Sequence, residues 1–95
     1  MSSKPVGTPL FHPGHIVATS HTLEIIPPAE ILNSLLRHLT GDWGDVCEED
    51  RWANDWALRR NGRLLSVYHS SDQTKFWIIT ESDRSVTTVL MPEDY

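Results

Sequence analysis

A chain of 95 residues with 39% hydrophobic content and four tryptophans has room for one modest core and is too apolar for wholesale disorder. No apolar run approaches the ~20 residues that cross a bilayer, and the single Cys47 rules out an intrachain disulfide. The net charge of −5 argues against non-specific binding to DNA, which needs a positive field.

Residues 1–14 carry Pro5, Gly7, Pro9, Pro13 and Gly14 and read as a flexible arm ahead of a single domain, 15–95. Met1 to Pro5 lacks an apolar signal-peptide core, so a cytoplasmic location is expected. His15 to Thr19 is a short strand. His21 to Ile26 can either continue it or turn into a helix, and Pro27 and Pro28 end both options. Pro28 suits a first helical turn, where its missing N–H costs nothing. Ile31, Leu32, Leu35, Leu36 and Leu39 then follow at helical spacing, with Arg37 and His38 favourably placed in the last turn.

Gly41-Asp42-Trp43-Gly44 is a sharp loop that tucks its indole inward. A second helix runs from Glu48 to Arg60. Asp45 and Glu48 stand at capping-box spacing, and Asn61-Gly62 supplies a left-handed stop. Trp52 and Trp56 lie one turn apart. Six acids, Asp42, Asp45, Glu48, Glu49, Asp50 and Asp55, surround the start of this helix, where they suit the positive end of its dipole.

Three runs rich in β-branched and aromatic residues complete the chain: Leu64 to His69, Lys75 to Thr80, and Ser85 to Met91. Polar breaks separate them, as in an antiparallel meander. Both faces of the middle run are apolar, which suggests a central strand covered on both sides. The expected fold is α+β: two helices on one face of a small, mainly antiparallel sheet, in the order β-α-α-β-β-β. Leu35, Leu36, Leu39, Trp52 and Trp56 would be buried against that sheet, with the first strand at an edge.

His15 to Thr19, Arg37-His38 with Gly41-Asp42-Trp43-Gly44, Asp50, Asn54 and Ala57-Leu58, and the block from Trp77 to Leu90 with Pro92 and Tyr95 resemble one family. It comprises small proteins encoded on bacterial plasmids, phages and integrated mobile elements. The resemblance implies no established activity. Relatives carry labels such as plasmid-related protein or restriction–modification subunit. The second label cannot describe chemistry here, because the chain is too short for a methyltransferase and has no glycine-rich cofactor loop.

Two functions are open. One is an accessory protein of a mobile element, acting on a protein partner through Asp45, Glu48, Glu49 and Trp52. Any tryptophan left outside the core would be a hot spot, and an open sheet edge could support a homodimer. The other is a small metal-independent ribonuclease, the only case in which nucleic acid is expected. There His38 would be the base, Arg84 the phosphate clamp, and Thr88 or Thr87 a positioning hydroxyl. Against it, Arg37 and His38 could simply cap a helix, and Arg84 could pair with Asp83 or Glu81. No cofactor and no metal site is expected. His12 and His15 have a plausible ligand spacing but no completing ligand, and the acids of residues 42–50 do not follow a calcium-loop pattern. Cys47 is expected to be a buried or half-buried structural residue.

Overall fold

The structure, a computed structural model, describes residues 8–95. β1 (His15–Ala18) is followed by three helices, α1 (Ser20–Ile25), α2 (Pro28–Leu39) and α3 (Glu48–Arg60). The meander β2 (Leu64–His69), β3 (Lys75–Thr80) and β4 (Val86–Leu90) comes next, and a 3-10 turn, Pro92–Asp94, closes the described chain. The fold is α+β with a four-stranded mixed sheet in the order β1-β4-β3-β2. β2, β3 and β4 are antiparallel neighbours, whereas β1 lies parallel to β4 at the edge.

The ambiguous segment after β1 is a helix, so the order is β-α-α-α-β-β-β. Its cause is local. The Thr19 hydroxyl accepts from the backbone N–H of Thr22 at 3.1 Å, which caps the first turn, and the N–H of Ile26 closes the last turn on the Thr22 carbonyl. In α2, Pro28 occupies the first turn as its chemistry favours. The helix ends at Gly41, whose φ of +83° lets the N–H of Asp42 return to the Arg37 carbonyl at 2.9 Å. α3 ends as expected, on Asn61 at φ +55°. Its start differs from expectation. Cys47 is the cap residue, and Asp45 bonds His69 Nδ1 at 2.7 Å instead of capping the helix.

The part of the expected arm over residues 1–7 lies outside the described residues. Residues 8–14 are docked rather than free. The Leu10 N–H donates to the Leu39 carbonyl at 2.8 Å, and Phe11 packs beside Trp43, Ala57 and Leu64. Gly14, at φ +67°, runs so close to Ser85 that a Cβ there would lie 2.3 Å from its carbonyl oxygen.

The pleat sorts the sheet into two faces. Leu64, Ser66 and Tyr68, then Phe76, Ile78 and Thr80, then Thr87 and Val89 point to one face, and all are buried. Ile26, Ile31 and Leu35 cover this face at one end, and Trp43 and Ala57 cover it at the other. On the opposite face Leu65, Val67, Trp77 and Thr88 remain half-buried. Ile79 and Leu90 of that face are buried as well, so the middle strand is covered on both sides at Ile79 and only half-covered at Trp77.

Candidate functional site

His38 is the centre of the molecule's polar interior. Helical rotation places it with Ile31, Ser34 and Leu35 on the buried side of α2, while Arg37 faces out. Its ring is wholly buried and bonds hydroxyls of two strands, Ser66 of β2 and Thr80 of β3, with Thr87 of β4 joined through Thr80. The Thr87 hydroxyl donates to the Pro13 carbonyl at 2.8 Å, so its oxygen must accept from Thr80 at 2.7 Å. The Thr80 hydrogen is then committed, and Nε2–H of His38 donates to Thr80 at 2.9 Å. Nδ1 is left as an acceptor and takes the Ser66 hydroxyl hydrogen at 2.5 Å. One neutral tautomer satisfies the whole chain of bonds. Burial, reinforced by the positive charge of Arg84, holds the imidazole down at about 4.

These bonds are why His38 cannot serve as the expected catalytic base. Both ring nitrogens are occupied and no path reaches solvent. Arg84 is equally committed. Nη1 donates to the Gly62 carbonyl at 2.6 Å and to Glu81 O at 3.1 Å, and Nη2 donates to Ala57 O at 3.1 Å. The guanidinium therefore pins the end of α3 to the β3–β4 turn through backbone carbonyls, and not through the carboxylates of Asp83 or Glu81. Phe11 packs against both groups, its ring centroid 5.6 Å from Arg84 Cζ and 5.4 Å from the centre of the His38 ring. Thr88 points to the opposite face of the sheet from Thr87. The ribonuclease constellation of His38, Arg84 and Thr88 is not assembled. Nor does His38 cap the helix: beside it, the outward Arg37 makes a two-pronged contact with Asp42 at 2.7 and 3.1 Å.

The expected interaction surface is exposed. Asp45, Glu48, Glu49 and Asp50 stand in solvent at the start of α3. Trp52 is 72% exposed and Trp56 52%, which corrects the expectation that both are buried. The reason is the rotation of α3. Its inward residues are Asn54 and Ala57, directly opposite the two indoles. Asn54 Nδ2 donates to the Leu65 carbonyl at 2.7 Å, and its Oδ1 accepts from the Leu65 N–H at 3.0 Å, so an amide side chain pairs with the edge of β2 as a strand would. Ala57 packs against Trp43 and Leu64. Trp43, 3% exposed, is the indole that enters the core, and its Nε1–H is held by Asp55 at 3.0 Å. Leu36 is likewise exposed and Leu39 only half-buried, because α2 turns Leu35 and His38 inward instead.

The exposed face of α3 has a groove of about 290 Å³ between Trp52, Asp55, Trp56 and Arg59. Arg60 Cζ lies 5.2 Å from the Trp56 ring centroid, a cation–π contact that steadies the indole. Cys47 is exposed at the same end of the helix as the acids, not buried. Among the described residues no group of three His, Cys, Asp or Glu side chains could hold a metal, and none of the helices is long and apolar enough to cross a membrane. The two sheet edges differ. Asn54 and the bridge between Gly44 and Val67 cover β2, whereas His15 to Val17 of β1 are exposed. Pairing of two copies through β2 is therefore blocked.

No family model, no curated protein and no solved structure matches this chain. What it does must be read from its own surface. The sequence pattern marked Trp52 as a candidate contact residue but placed both Trp52 and Trp56 against the sheet, and both are exposed. The available signal was that Asn54 and Ala57, small and polar, alternate with the indoles on a helix with no long aliphatic stripe.

Proposed function

We propose that the protein is a binding module that docks a protein partner on the outward face of α3, and that it serves a mobile genetic element as an accessory protein. The observation that carries this reading is the pair of indoles, Trp52 and Trp56, held one turn apart in solvent while the helix buries only Asn54 and Ala57. Exposed tryptophans lose little on binding, since they have two rotatable bonds. They gain much apolar burial, and so they dominate the energy of interfaces.

The charges define the partner's chemistry. Glu48, Glu49 and Asp50 lie at one end of the face and Arg59 and Arg60 at the other. A complementary surface carries an apolar pocket for the indoles, with Lys or Arg facing the acidic end and a carboxylate facing the basic end. Such charges speed encounter and fix orientation more than they add affinity.

Quantitative pull-down from the native host tests the reading. Trp52→Ala with Trp56→Ala should remove a partner that wild type retains, and reversing Glu48, Glu49 and Asp50 to Lys should weaken its capture. Retention of the same partners by both variants would refute the assignment.

A further inference from the structure

The sheet face turned away from the helices carries a second feature. Leu65 of β2 and Ile79 of β3 face each other in register and form an apolar floor. Trp77 forms one wall. Tyr95 forms another, with its ring edge-on to Trp77 at a centroid distance of 5.7 Å and an interplanar angle of 67°. Arg63 stands at the end of the floor. Together these five side chains enclose a cleft of about 300 Å³, at the small end of the range for ligand sites and suited to roughly one bicyclic ring.

Arg63 is positioned but not used up. Its Nη1 donates to the Tyr95 hydroxyl at 2.6 Å, and its Nε lies 3.5 Å from Glu81 Oε1. The guanidinium carbon sits 5.2 Å from the Tyr95 ring centroid. Among the described residues no group accepts from Nη2. Two contacts thus fix the plane of the fork while one nitrogen stays available at the rim of an apolar, aromatic slot. A planar guanidinium held in this way suits a carboxylate better than a flexible ammonium would.

We propose that this cleft binds a small planar aromatic carboxylate, with its ring laid over Leu65 and Ile79 beside the Trp77–Tyr95 pair and its carboxylate on Arg63. An aromatic ring fits because Leu65 and Ile79 give it an apolar floor and the Trp77–Tyr95 pair gives it an aromatic flank. An anion fits because Arg63 carries the positive charge at the mouth of the cleft, while the opposing Glu81 is engaged with Arg63 itself. The site is separate from the α3 face and does not depend on a protein partner there.

Indole-3-acetate is the probe, and indole-3-acetamide is its uncharged counterpart. The readout is the indole N–H resonance of Trp77 in an NMR titration of the full chain, assigned with Trp77→Phe. Saturable binding is expected at about 1 mM or tighter, the range for a ligand of this size. Arg63→Gln should weaken it at least tenfold, and Tyr95→Ala should weaken it as well. Trp52→Ala should leave it unchanged, which separates this site from the α3 surface. The acetamide should bind at least tenfold more weakly than the acetate. Absence of saturation by 10 mM, equal binding of acetate and acetamide, or full affinity in Arg63→Gln each overturns the proposal. So does movement of the Trp77 resonance with protein concentration alone, which would make this face a contact between two copies of the chain.

Discussion

Acid should unfold this protein through His38 before it protonates the paired carboxylates. In the unfolded chain His38 takes a proton near its ordinary value of 6.5, and in the folded chain only near about 4. Between those values the unfolded state holds more protons, so stability rises with pH across the window. The contribution is fully present above 6.5 and is lost as pH falls toward 4. The gap from 6.5 to about 4, at about 1.4 kcal/mol per pKa step, corresponds to roughly 3 kcal/mol. That is a large share of the ~5–15 kcal/mol by which small domains are stable. The cause is geometric. A proton on Nδ1 removes the acceptor for Ser66 and places a charge in a site with no water to solvate it.

His21 runs the other way. Its bond to Asp94 at 3.0 Å raises its value, so its contribution is present below 6.5 and lost as pH rises through the raised value. Urea unfolding at intervals from pH 4.5 to 7 measures the sum. Wild type should gain stability with pH over this range. His38→Gln, which keeps a donor and an acceptor but cannot ionise, should lose that slope or reverse it. A direct NMR titration of the His38 ring should show it neutral down to near pH 4. Identical slopes in wild type and variant, or a ring that titrates near 6.5 in the folded protein, would refute the reasoning.

The remaining predictions concern packing and the surface. Trp43→Ala should cost about 3–5 kcal/mol in urea unfolding, whereas Trp52→Ala should fall within about 0.5 kcal/mol of wild type, because only the first indole is buried. Asn54→Ala should lose about 2–3 kcal/mol by unpairing both backbone groups of Leu65, and the bared β2 edge should make it self-associate on size-exclusion chromatography. Gly44→Ala should destabilise by more than about 2 kcal/mol in the same assay, since a Cβ there would lie 2.0 Å from the Val67 carbonyl oxygen at a φ of +74°. Cys47 should react with a thiol reagent in the native state as fast as in urea, as its exposure requires; a strong difference between the two rates would contradict its placement.

Much of this architecture is written locally and could be read without coordinates. Val, Ile, Thr and aromatic runs broken by polar turns specify the meander, since such side chains suit a pleated surface wherever it lies. Pro28 and Asn61 mark helix ends because φ is a property of one residue and its neighbours. What lay beyond the sequence was every choice between two equivalent faces. Helical spacing groups Trp52 with Trp56 and sets them opposite Asn54 and Ala57, but it does not say which pair meets the protein. The free backbone of β2 decides that, by offering Leu65 to the amide of Asn54. In the same way Arg37 and His38 look alike at a helix end until the register of β2, β3 and β4 brings Ser66, Thr80 and Thr87 beneath the imidazole. Residues remote in sequence met at those points, and a buried hydrogen-bonding group is stable only where its partners arrive with it.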